Sequence, residues 1–141
     1  MANYISKGRA GEYLALFDIT VNGYNCFTVT EGLTFDLGMT HLGELYRIQV
    51  KSANTKKNDR SYCFSIGRSQ REYLGNNKIK PVYKEYNITD FEILALSVVP
   101  KRKVLYLPFH EVYGKKYLNF TGKESYPIDK CLQSVIDAEE K

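Results

Sequence analysis

Asp36, Gln49 and Lys51 are the residues of this chain whose types and spacing could do chemistry. They fall in the segment Phe35-Asp36-Leu37 … Tyr46-Arg47-Ile48-Gln49-Val50-Lys51. Here an acidic residue is expected to close one strand, a short turn follows, and a second strand alternates apolar and polar residues. Strand side chains alternate with a period of two. Tyr46, Ile48 and Val50 therefore point one way, and Arg47, Gln49 and Lys51 the other. An Asp, a Gln and a Lys can so converge on one side of a hairpin. The carboxylate is a hard oxygen ligand for Mg²⁺, the Gln oxygen is a neutral one, and the Val50 carbonyl offers another. Lys51 can hydrogen-bond an attacking water, steady the hydroxide, or neutralise charge on a phosphorane-like transition state. Such a group suits metal-assisted hydrolysis of a phosphodiester.

The elements that must position these residues follow from pattern. Residues 6–21 read as a helix: Ser6 can cap it, and Ala10, Tyr13, Leu14 and Phe17 repeat at helical spacing on one face. Asn22-Gly23 stops it. Strands are expected at 24–30, 33–38, 44–53, 62–66, 91–99 and 104–108, with 40–43 as a loop. The apolar run 91–99 has the continuity of a buried central strand. Residues 67–86, broken by Gly75-Asn76-Asn77 and Pro81, read as an excursion with little regular structure. Residues 126–138 read as a final helix. A helix, several strands and a helix predict an α/β or α+β sheet flanked by helices.

Composition bounds the remaining choices. The chain has 141 residues, 43% of them hydrophobic, which fits one domain, 1–141, with an ordinary core. A net charge of +4 permits a polyanionic partner. No apolar run can span a bilayer, so no membrane partner is expected. Cys26, Cys63 and Cys131 form no CxxC pair, which argues against structural zinc and for reduced thiols in a cytoplasmic protein. His41 and His110 stand alone. No Walker loop is present, and nothing points to an adjacent nucleophile and base. No small-molecule cofactor beyond a metal is expected.

Together the residues carry a resemblance. Gly8-Arg9-Ala10-Gly11-Glu12, then Phe35-Asp36-Leu37, then Gln49-Val50-Lys51, resemble the PD-(D/E)XK nuclease superfamily. They are similar in particular to its small homing endonucleases associated with group I introns, which use Gln for the second acid. Asp90-Phe91-Glu92-Ile93-Leu94-Ala95 and Val104-Leu105-Tyr106-Leu107-Pro108 extend the likeness over roughly residues 8–110. Gln49 removes one negative charge, and Glu12 on the first helix is the expected compensation. The resemblance implies a restriction-endonuclease-like core at 6–110 with a central mixed β-sheet, and a C-terminal extension at 111–141. It implies catalysis by Glu12, Asp36, Gln49 and Lys51. It implies Mg²⁺, or Mn²⁺, on Asp36, Gln49, the Val50 carbonyl and Glu12. Residues 14–24 also echo the LAGLIDADG motif, but Leu16 stands where a close-packing Gly is required.

The expected activity is site-specific cleavage of double-stranded DNA. The same core also serves Holliday-junction resolvases and restriction-type endonucleases, and a weakened site would leave a DNA-binding protein. Lys56, Lys57, Arg60, Arg68, Gln70, Arg71, Lys78 and Lys80 are the expected DNA contacts, suited to phosphates and base edges. One metal site per subunit and two strands to cut imply a homodimer, or a homotetramer of two dimers.

Overall fold

The computed structural model describes residues 4–30, 33–56, 60–73, 75–84, 86–87 and 90–140. Lys57, one of the expected DNA contacts, lies outside them. The order is α1 (Tyr4–Val21), β1 (Asn25–Thr28), β2 (Leu37–His41), β3 (Glu44–Ala53), β4 (Tyr62–Ser65), β5 (Arg68–Tyr73), β6 (Ile79–Lys84), β7 (Ile93–Val98), β8 (Lys103–Pro108), α2 (Phe109–Val112), β9 (Tyr117–Phe120) and α3 (Ile128–Glu139). Five strands form one mixed sheet in the order β1-β2-β3-β7-β8. β1, β2 and β3 are antiparallel neighbours, β3 and β7 are parallel, and β7 and β8 are antiparallel. The architecture is α+β, a mixed sheet flanked by helices.

Strand alternation divides the core between the sheet's faces. Tyr46, Ile48 and Val50 join Ile93 and Ala95 in one cluster, closed by Ala15 and Ile19 of α1 and Leu132 and Val135 of α3. Leu94, Leu96 and Val98 join Ala53, Phe64 and Phe109 in a second cluster on the other face. Every residue of β7 is buried, as its unbroken apolar run requires. Polar ties hold the first face together. The Tyr106 hydroxyl donates to Asp18 of α1 at 2.7 Å. The Tyr24 hydroxyl donates to Asp129 of α3, and burial together with that carboxylate pushes the phenol up to about 12.

Several sequence expectations are corrected by packing. On α1, Tyr13 and Phe17 are 57% and 66% exposed, while Gly11, Ala15 and Ile19 are buried. Small residues win that face because the helix lies close on the sheet. The Gly11 carbonyl accepts the Ser97 hydroxyl at 2.7 Å, and a Cβ on Gly11 would sit 1.7 Å from Ser52 Oγ and 2.7 Å from Ser52 Cβ. Gly11→Ala is therefore expected to cost roughly 1–3 kcal/mol, since turning the Ser52 hydroxyl away still leaves its Cβ in the way. Gly8→Ala, which meets nothing within 4 Å, is expected to gain up to about 1 kcal/mol from helix propensity. Urea denaturation of the two variants, moving in opposite directions, checks this.

The second strand is also displaced from 33–38 to Leu37–His41. Gly38, expected near its end, sits inside it because the Phe27 ring occupies the space of a side chain, 2.5 Å from where a Cβ would be. The turn to β3 then needs only Leu42 and Gly43, both left-handed at φ 51° and 82°, as tight hairpins demand. Residues 67–86 are not irregular either. β5 and β6 pair as an antiparallel hairpin from Arg68↔Lys84 to Tyr73↔Ile79. Gly75, Asn76 and Asn77 take positive φ at its turn, and Pro81 is tolerated because the ribbon is isolated from the main sheet. β9, which pairs with β4, was not expected, nor was the four-residue α2.

Candidate active site

Asp36 directly precedes β2 rather than closing a strand, and that places it. Its N–H donates to the Ile48 carbonyl at 2.8 Å, so Asp36 and Leu37 both oppose Ile48 and the ladder steps out of register just before β2. From there the Asp36 side chain reaches Gln49 and Val50 of β3. Asp36 Oδ2 accepts Gln49 Nε2 at 2.8 Å and the Val50 N–H at 2.8 Å. Gln49, itself buried, also donates Nε2 to the Val50 carbonyl at 3.3 Å.

That last contact tests what the site can hold. The Asp36 carboxylate and the Val50 carbonyl converge on one point, taken by an amide NH₂, a partial positive charge. A half-turn of the Gln49 amide exchanges its nitrogen for its oxygen. Carboxylate, amide and carbonyl oxygens then stand together, the hard donor set that suits Mg²⁺ or Mn²⁺ rather than a soft metal. The side chains and the one backbone carbonyl fit such an ion. Among the described residues no three His, Cys, Asp or Glu side chains group to hold a metal, so neutral oxygens have to carry part of the load.

Lys51 and Asp36 shape each other's charge. Burial raises the Asp36 pKa, opposed by the Val50 N–H and the Lys51 cation. Burial lowers the Lys51 pKa, opposed by the Asp36 charge. Lys51 Nζ donates to the Gly67 carbonyl at 3.1 Å and lies 5.4 Å from the centre of the Tyr86 ring. Perturbed groups of opposite charge side by side make this a candidate functional site. Neither Gly67 nor Tyr86 was expected near Lys51. Both are remote in sequence, and they flank the β5–β6 hairpin.

The remaining expected residues separate. Glu12 is half-buried on α1, directly after Gly11, whose position over Ser52 brings this turn of the helix to the end of β3 that carries Lys51. Arg47, next along the face from Gln49, is ion-paired to Glu92 at 2.7 Å. Lys56, Arg60 and Lys78 are exposed, with Lys56 5.8 Å from the Tyr62 ring centre. Arg68, Gln70, Arg71 and Lys80 belong to the β5–β6 hairpin by their backbone pairing, Gln70↔Val82, Arg71↔Pro81 and Glu72↔Lys80. No described helix is long and apolar enough to cross a membrane.

Comparisons with known proteins agree with this geometry. A bacterial homing endonuclease, I-Ssp6803I, has a similar solved structure, with a TM-score of 0.75 and 16% sequence identity, covering 99% of this chain and 98% of that one. At that identity the likeness is one of fold. No curated protein matches the chain. The family described as PD-(D/E)XK endonuclease matches residues 3–125. That span takes in the whole main sheet and every residue of the site, and the chain belongs to the PD-(D/E)XK endonuclease family.

Proposed function

We propose that this protein is a Mg²⁺-dependent endonuclease of the intron-homing type, cutting double-stranded DNA at a specific site as a homodimer or homotetramer. The observation that carries the reading is the hydrogen-bonded contact of Asp36 and Gln49 at the Val50 backbone, beside Lys51. Asp36, Gln49 and the Val50 carbonyl would hold the ion, with Glu12 adding a carboxylate directly or through water. When bound, the ion supplies Lewis-acid polarisation of the phosphate and a more acidic water. Lys51, partly desolvated, orients the attacking water and offsets charge growing on the phosphate oxygens. Exposed Lys56, Arg60 and Lys78 contact phosphates, and Lys57, Arg68, Gln70, Arg71 and Lys80 complete the DNA surface. The overall likeness in fold to a homing endonuclease favours that role over the other uses of the core.

The test is cleavage of a duplex carrying an intronless insertion site, with Mg²⁺ and then with EDTA. Cutting with the ion and none with the chelator is expected. Equal cutting in both would sink the metal site.

Gln49→Glu checks the role of the amide. It replaces a donor to Asp36 with a second carboxylate, so the metal-free variant is expected to melt lower than wild type. Mg²⁺ should then raise its melting temperature more than it raises that of wild type, with affinity about tenfold tighter from the added ligand charge. Thermal melts across a Mg²⁺ series read both effects.

A further inference from the structure

Lys51 is held at two points, and they are the two ends of one hairpin. Gly67, whose carbonyl accepts Nζ at 3.1 Å, directly precedes β5. Tyr86, whose ring centre lies 5.4 Å from Nζ, stands just past the end of β6.

Tyr86 is itself firmly placed. Its ring meets Phe91 edge-on at 5.0 Å, and Phe91, fully buried, meets Phe109 in the same way at 5.3 Å. Behind it, Asn87 and Asp90 are tied to each other. The Asn87 N–H donates to the Asp90 carboxylate at 2.8 Å, and the Asp90 N–H donates to the Asn87 carbonyl at 2.9 Å. The Asp90 carbonyl in turn accepts the hydroxyl of Thr34 at 3.1 Å, two residues before Asp36. Asp90 thus ties Asn87, next to the ring over Lys51, to the segment leading to Asp36.

A lysine has a compact charge on a flexible four-carbon stem, so its position must be imposed from outside. A carbonyl in line with one N–H and an aromatic face toward the ammonium do this without neutralising the charge. We propose that Tyr86 is a positioning residue: its ring holds the Lys51 ammonium beside Asp36, and with Gly67 it ties that orientation to the β5–β6 hairpin. The role rests on the nuclease reading of Lys51 given above. What the role asks of Tyr86 is its ring face, which Phe would also present.

Tyr86→Phe and Tyr86→Leu, made in the full chain, separate these features. The measurements are kcat, duplex affinity in EDTA, melting temperature, and the NMR shifts of the Lys51 ε-methylene protons, which a ring face displaces upfield. Tyr86→Phe is expected to keep kcat within about twofold and the upfield shift intact. Tyr86→Leu should lower kcat about tenfold, the size of a desolvated cation–π contact, with duplex affinity held and the upfield shift lost. Unchanged kcat in the Leu variant, an equal loss in both variants, or a loss confined to duplex affinity overturns the proposal. Should the Leu variant fail to fold, wild-type Lys51 decides: ε-methylene protons without an upfield shift overturn it, and displaced ones that stay displaced in Tyr86→Phe support it. A wild-type protein that cuts no DNA but shows the displaced protons would fault the nuclease reading and not the contact.

Discussion

Asp36→Asn is expected to lower DNA cleavage by about a thousandfold or more, because it removes the charged ligand of the site and with it several kcal/mol of transition-state stabilisation. The fold should survive the change. Asn can still accept the Val50 N–H that Asp36 Oδ2 accepts at 2.8 Å. The sign of the stability change follows from burial. The folded-state pKa of Asp36 is raised, so an ionised Asp36 subtracts from stability at neutral pH, and that cost falls away as the pH drops through the raised value. In metal-free protein the Asn variant should therefore melt at or above wild type. A large drop in melting temperature would recast Asp36 as a structural residue, and its effect on cleavage as loss of fold.

Lys51→Ala carries the second large effect, an expected loss of about a hundred- to a thousandfold in kcat, the usual cost of removing one donor that meets developing charge. Duplex binding measured in EDTA should change only a few-fold, since the half-buried ammonium is aimed at Gly67 and Tyr86 within the fold. Here too the sign is set by desolvation. The folded-state pKa is lowered, so charged Lys51 costs stability at neutral pH and the cost eases as pH rises. Lys51→Met, which keeps the stem and drops the charge, is expected to raise the melting temperature while failing to restore kcat. Recovery of kcat by Met would show that the stem, and not the charge, does the work.

How much of this was legible in the sequence depended on how local the deciding interaction was. β3 forms over Glu44–Ala53, the bounds its alternation gives, and Tyr46, Ile48 and Val50 enter one core cluster while Arg47, Gln49 and Lys51 stay out of it, as that alternation requires. The Asp36–Gln49 pair followed from the residue types and the family's spacing. The displaced β2 did not, because a phenylalanine on β1 decides whether Gly38 belongs inside the strand. On α1 the large apolar residues drew attention to the wrong face. Helix-to-sheet distance selects Gly11 and Ala15 for contact, and no periodicity in large residues reports that. The hold on Lys51 was least legible of all, since Gly67 and Tyr86 meet it only through a hairpin whose sequence reads as breaks and charges. Local pattern is a weak guide where tertiary contacts choose the conformation.

Cleavage of a randomised duplex library, with the new ends sequenced, tests the central claim most directly. Wild type and Asp36→Asn are each incubated with Mg²⁺ or with EDTA. The account predicts a discrete set of ends from wild type with Mg²⁺ and none in the other three samples. The same ends from Asp36→Asn, or from wild type in EDTA, would contradict it and place the chemistry elsewhere in the molecule.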